Sequence, residues 1–114
     1  MREILSPTAI EEKAQEISKR IGLKVYPFSF LIDDTDQVVG YIQEPKRVVK
    51  MAALDEMIKS MTMAGEMILN TSLIKEDSDP RILSEKSEDD SIFISSCLHC
   101  VTFLKMYNDE LKKK

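Results

Sequence analysis

Residues 23–43 read LKVYPFSFLIDDTDQVVGYIQ, and in this stretch the spacing of apolar residues changes from helical to alternating. Aromatic and aliphatic residues occupy every second position from Tyr26 to Ile32, which is the pattern of a strand with one buried face. A polar turn, Asp-Asp-Thr-Asp, separates this run from a second run of β-favouring residues. The stretch therefore predicts a β-hairpin, and Pro27 indicates either that its first strand lies at a sheet edge or that the strand has an early irregularity.

The residues before the hairpin predict one surface helix over about 7–21. Ser6 is a favourable N-cap, and Pro7 suits the first helical position. Apolar residues then recur at helical spacing from Ile10 onwards. Gly22 is a natural residue to end the helix.

The residues after the hairpin predict a helical region over about 45–112. Two helices, or one kinked helix, fill the stretch between Pro45 and Ser72. An acidic loop follows at about 75–90, and an aspartate at its end caps the last helix. Because a lone hairpin is only marginally stable in water, helices must cover it. We therefore predict one small α+β domain, residues 1–114, in which the β-hairpin packs on a bundle of about four helices.

Composition narrows the class of protein. The chain has 114 residues, of which 43% are hydrophobic and 32% charged, as is ordinary for a globular domain. With 16 basic and 20 acidic residues the net charge is −4, which argues against a nucleic-acid binder. No apolar run reaches the roughly 20 residues that span a bilayer, so we expect no membrane partner. No leader-like apolar segment follows Met1, and we expect a cytoplasmic protein with free thiols.

The segment Cys97-Leu98-His99-Cys100 holds both cysteines and the single histidine of the chain. On a helix both thiols fall within one apolar stripe, so we interpret them as core packing. A zinc site would need a fourth ligand, and a redox pair would sit at a helix N-terminus. His99 has no evident nucleophile or orienting carboxylate beside it. We therefore expect no catalytic set, metal site or cofactor, and a protein that is not an enzyme.

The last helix carries apolar residues on too many sides for a domain of this size to cover. Such a helix is either central to the bundle or in contact with another subunit. We expect the second arrangement, a two-fold homodimer through this helix. Methionines of the middle helices add a soft surface that suits a protein partner. The candidate partner or dimer contacts are Phe103, Met106, Ile92, Met51, Met57, Met61 and Met63.

From about Val38 to the C-terminus the chain resembles small bacteriophage proteins of the tail-assembly chaperone-like kind. The matching positions are Tyr41-Ile42-x-x-Pro45, Ala64-Gly65-Glu66-x-Ile68-Leu69-Asn70, Asp79-x-x-Ile82, Asp89-Asp90-x-Ile92-Phe93 and Leu111-Lys112-Lys113. The resemblance implies a β-hairpin that leads into a helical region, and a role in binding another protein during virion assembly. It carries no catalytic residue.

The sequence thus predicts a non-enzymatic protein-binding module, in particular a phage assembly factor or tail-assembly chaperone-like protein. Its partner would be a protein, such as a phage structural protein, and its compartment the cytoplasm of a bacterial host. Two alternatives stay open. One is a small redox or metal-binding protein that uses Cys97, His99 and Cys100, and the other is a self-associating structural subunit.

Overall fold

The computed structural model describes residues 4–112, with side chains described as far as residue 104. Helix α1 leads into a hairpin of strands β1 and β2, and three further helices follow. The element bounds are α1 Pro7–Ile21, β1 Val25–Asp33, β2 Asp36–Gln43, α2 Arg47–Met57, α3 Met61–Ser72 and α4 Asp90–Lys112, with 3₁₀ turns at Pro80–Leu83 and Ser87–Asp89. The prediction of an α+β fold with one hairpin and about four helices is confirmed for the described residues.

Helix α1 begins and ends where its capping residues predict. The Ser6 hydroxyl accepts a hydrogen bond from the Ala9 N–H at 3.1 Å, and Pro7 occupies the first turn. Gly22 adopts a left-handed conformation with φ 74°, and its N–H donates to the Ser18 carbonyl at 2.9 Å. Both ends therefore satisfy backbone groups that a helix otherwise leaves unpaired.

The two strands pair antiparallel, with Phe28 opposite Gly40. A Cβ on Gly40 would lie 2.6 Å from a carbon of the Phe28 ring, so only glycine leaves room for that ring across the hairpin. The Asp33 carboxylate accepts hydrogen bonds from the backbone N–H and the hydroxyl of Thr35, which closes the turn.

The hairpin lies between helices rather than on one side of a bundle. One of its faces packs against α1, and the other packs against α2, α3 and α4. The first core contains Ile10, Ala14, Ile17, Tyr41 and Ile74, with Val25 and Val39 packed against it. The second is larger and includes Phe28, Val38, Ile42, Ala53, Ala64, Ile68, Leu69, Ile82, Cys97, Cys100, Val101 and Leu104.

The chain between Pro45 and Ser72 forms two helices, α2 and α3, separated by a turn at 58–60. Ser60 accepts a hydrogen bond from the Met63 N–H at 3.2 Å and so caps α3. Pro45 precedes α2, which begins at Arg47 after Lys46.

The acidic loop at about 75–90 is a strap along the outer edge of β2. The Ile74 N–H donates to the Tyr41 carbonyl and the Asp79 N–H to the Val39 carbonyl, both at 2.9 Å. Ile82 in the following 3₁₀ turn is fully buried. The strap therefore satisfies backbone groups that an edge strand would otherwise expose.

Helix α4 is central to the second core, because the hairpin covers the side that a bundle alone would leave open. Phe103 is 7% exposed, and its ring centroid lies 4.3 Å from that of Tyr26 on β1. Ile92 is also buried. The interpretation of Phe103 and Ile92 as exposed dimer contacts is therefore wrong, and the Met106 side chain lies outside the described residues.

Candidate functional site

The two thiols of the Cys-Leu-His-Cys segment lie in the core between α4 and α3. Cys97 and Cys100 are both fully buried, and both are free thiols. Burial, with a further contribution from the Glu66 charge, raises the pKa of Cys97 to about 11. Burial also raises the pKa of Cys100. Both groups are neutral thiols at pH 7, and the prediction that they pack in the core is confirmed.

His99 lies on the opposite side of α4 from these thiols and is exposed. Its ring lies above the hairpin, with centroids 5.2 Å from that of Phe30 and 5.9 Å from that of Phe28. Its Nδ1 is 2.9 Å from the Ser95 carbonyl, which accepts the hydrogen bond. The structure therefore does not bring the histidine and the two thiols together. Across residues 4–112 no group of three His, Cys, Asp or Glu side chains has the arrangement of a metal site.

A shallow cavity of about 460 Å³ lies between α1, β2 and the strap. Its polar wall includes Lys13 and Asp77, and Asp77 also pairs with Arg20. Tyr41 lines the cavity, and burial with the nearby Asp77 charge raises its pKa. The acidic charge at this cavity is paired within the chain, which makes it a structural feature of the strap.

Beside this cavity a guanidinium joins the strap to the hairpin. Arg81 donates to both carboxylate oxygens of Asp36, at 2.8 and 3.0 Å. It also donates to Asp79, at 2.8 Å to one oxygen and 3.1 Å to the other. The two acidic residues are far apart in the sequence, so this clamp fixes the strap onto the start of β2. Sequence reasoning missed it because no local pattern pairs Arg81 with Asp36.

The most distinctive surface is apolar and lies on α2, on α3 and on the turn between them. Ile58 is 88% exposed and Met51 is 60% exposed. We define the α2–α3 apolar surface as Val48, Met51, Ile58, Met61 and Met63, all of which are exposed.

This surface exists because α2 packs on the core through a side other than the one that carries Val48, Met51 and Ile58. The inner side of α2 carries Ala53, with Val49, Leu54 and Met57 packed against the core. Val48, Met51 and Ile58 follow one another at the spacing of a helix face and point away from it. Of the predicted contacts, Met51, Met61 and Met63 are therefore exposed, whereas Met57 is partly buried in the core.

Smaller sets of exposed apolar residues lie elsewhere. Ile94 and Leu98 lie on adjacent turns of α4, Leu31 and Ile32 at the end of β1, Ile4 and Leu5 before α1, and Ile21 and Leu23 at the end of α1. In the described part of the chain, no helix is long and apolar enough to cross a membrane.

Comparisons with protein-family models, with curated proteins and with solved structures gave no match for this chain.

Proposed function

We propose that this protein is a non-enzymatic protein-binding module whose partner contacts the α2–α3 apolar surface. The observation that carries the proposal is the exposure of five apolar side chains on one short helical hairpin. Exposed apolar side chains that form a patch on a folded domain mark contact sites.

The chemistry of the surface suits a helix or an apolar segment of another protein. Three of its five residues are methionines, whose flexible thioether side chains adapt to partners of different shape. Exposed charged residues supply a polar rim: Arg47 and Asp55 on α2, and Lys46 directly before it. An apolar centre with a polar rim is the usual anatomy of a protein interface.

The finer assignment follows the resemblance of the sequence to phage tail-assembly chaperone-like proteins. The proposed role is that of a phage assembly factor that shields an apolar surface of a phage structural protein in the cytoplasm of a bacterial host. A homodimer remains part of the proposal, although the buried Phe103 and Ile92 do not provide its contact. The buried, neutral state of Cys97 and Cys100 favours this role over a redox or metal-binding one.

The test is a paired substitution with a matched control. Met51→Glu with Ile58→Glu places two charges on the α2–α3 apolar surface, and Ile94→Glu with Leu98→Glu places two on the exposed side of α4. Both double variants should keep the far-ultraviolet circular dichroism and the melting temperature of the parent chain, because all four side chains are exposed.

Binding is measured by capture from the native host, followed by calorimetry with the purified partner. Burying each of two apolar side chains contributes about 1.5 kcal/mol or more, so the α2–α3 double variant should bind about a hundredfold more weakly. The α4 double variant should bind as the parent does. A partner that binds the α2–α3 double variant as tightly as the parent would overturn the proposal, as would a parent chain that captures no protein.

A further inference from the structure

The outer edge of β1 carries backbone groups that no other segment covers. The Glu44 N–H donates to the Lys24 carbonyl at 2.8 Å, which makes Lys24 and Glu44 a hydrogen-bonded pair. Hydrogen-bonded and non-bonded pairs alternate along an antiparallel ladder. From this starting point the N–H and C=O groups of Val25, Ser29 and Leu31 point away from β2. Pro27, which has no N–H, occupies an outward position as well.

The two edges of the hairpin differ in how they are covered. On β2 the outward groups of Val39 and Tyr41 bond to the strap, through Asp79, Ser78 and Ile74. On β1 the outward groups of Ser29 and Leu31 have no hydrogen-bond partner within residues 4–112. The hairpin thus has one satisfied edge and one open edge, and an open edge is a template for another strand.

We propose that a second copy of this chain pairs with this edge, β1 against β1, in an antiparallel arrangement with its two-fold axis at Ser29. In this register the Ser29 N–H of each copy donates a hydrogen bond to the Ser29 carbonyl of the other. The Leu31 N–H of each copy donates to the Pro27 carbonyl of the other, so the missing N–H of Pro27 is tolerated. The result is a four-stranded antiparallel sheet in place of two marginal hairpins.

Apolar complementarity selects the second copy as the occupant. The strand is irregular between Leu31 and Asp33, so the regular pairing runs over residues 27–31 of each copy. Leu31, which is 56% exposed, comes to lie opposite Pro27 at both ends of this pairing, on the α1 side. Apolar pairs directly across strands stabilise a sheet.

The pairing also closes on itself. Each copy uses its one open edge, and the strap blocks the outer edge of β2, so strand addition ends at the dimer. The arrangement supplies a contact for the proposed homodimer and does not involve the α2–α3 apolar surface. Loss of the dimer and loss of partner binding are therefore separate measurements.

Removal of an outward N–H tests the register. Sedimentation equilibrium should find the parent chain dimeric at micromolar to millimolar concentration. Ser29→Pro removes the N–H that each copy donates at the two-fold axis, and it leaves the bonds between β1 and β2 in place because that N–H points away from β2. It should raise the dimer dissociation constant about tenfold or more, since two hydrogen bonds are lost. Ser29→Ala keeps the N–H, is the matched control and should leave the constant unchanged.

Amide hydrogen exchange measures directly whether the outer edge of β1 is paired. The Ser29 and Leu31 amides should exchange rapidly in dilute protein and become protected as concentration rises, while amides facing β2 stay protected throughout. The Met51→Glu with Ile58→Glu variant should dimerise as the parent does. A parent chain that is monomeric at millimolar concentration overturns the proposal. A dimer whose dissociation constant is unchanged by Ser29→Pro, or whose Ser29 and Leu31 exchange is independent of concentration, overturns it equally.

Discussion

Gly65→Ala tests how closely α3 and α4 approach one another. A Cβ on Gly65 would lie 2.6 Å from the carbonyl carbon and 2.7 Å from the Cα of Cys97, and closer still to its carbonyl oxygen. Ordinary van der Waals contact with a Cβ begins at about 3.4 Å. The obstacle is helix backbone, which cannot rotate away as a side chain can, so the two helices must separate by about 0.8 Å or more.

Two opposing effects set the size of the change. Alanine is the better helix former, which favours the variant by about 1 kcal/mol. Separating the helices loosens the packing around Cys97, Ile68 and Leu69, all fully buried, and such overpacking costs about 3 kcal/mol or more. The steric effect wins, and we expect the free energy of unfolding to fall by about 2 kcal/mol. For a domain of this size the melting temperature then falls by about 10 °C.

Urea unfolding followed by circular dichroism at 222 nm measures the difference. Asn70→Ala is the control, because Asn70 is exposed on the same helix and its replacement changes only helix propensity. The control should be neutral or slightly stabilising. If Gly65→Ala is also neutral or stabilising, then propensity decides the outcome and the close approach of α3 and α4 at Cys97 is refuted.

Two further predictions concern the strap and the thiols. Arg81→Ala should lower the free energy of unfolding by about 2 kcal/mol in urea titrations, because the Asp79 side chain, 4% exposed, loses its guanidinium partner. Arg81→Lys should recover only part of this loss, since an ammonium group cannot make the two parallel hydrogen bonds of a guanidinium. The free energy of unfolding should also fall as pH rises above about 8.5, because the unfolded chain there releases thiol protons that the folded chain retains. The slope is up to about 1.4 kcal/mol per pH unit for each thiol, and the contribution of Cys97 ends where it ionises near pH 11. Replacing Cys97 and Cys100 by alanine should flatten this dependence in thermal melts at pH 7 to 10.5, and an unchanged slope would contradict the neutral, buried state of the thiols.

The elements that sequence predicted well are those with local signals. A capping serine, a proline in the first turn and a terminal glycine bound α1 within the sequence itself. Period-two alternation and an Asp-rich turn define the hairpin in the same way, and Pro27 lies at an outward edge position. In each case the residues that determine the element lie inside it or directly beside it.

The orientation of α2 could not be predicted from its sequence because apolar residues occupy most of its circumference. A stripe through Met51 and Ile58 is as regular as one through Ala53 and Met57, and both satisfy helical spacing. Tertiary packing selects the second stripe, with Ala53 allowing the closest approach to the core. The Asp36–Arg81 clamp could not be predicted for a related reason, since its partners are 45 residues apart in the sequence.

The error at α4 has a single physical source. Counting apolar faces correctly identified a helix that needs cover on several sides, but the position of the hairpin was unknown. Because the hairpin lies between α1 and the other helices, the rings of Tyr26, Phe28 and Phe30 cover the side of α4 that carries Phe103 and His99. Uncovered apolar side chains are consequently found away from that side of α4: on α2, at the α2–α3 turn, at both ends of α1, at the end of β1, and at Ile94 and Leu98 on the outer side of α4.

This distribution separates the residues that fold the chain from those proposed to bind partners. A charge at Phe103 would enter the core and unfold the protein, so no substitution there could distinguish a contact from a packing defect. Helix α2 is different, because Ala53 is its single fully buried residue among those described, and its N-terminus has no side-chain cap. The outer residues of α2 contribute little to folding. Natural selection can therefore act on Met51 and Ile58 for contact with a partner. The core holds α2 by one side alone, and folding does not require the side chains on its other side. Substitutions among those side chains can therefore change binding without loss of the fold.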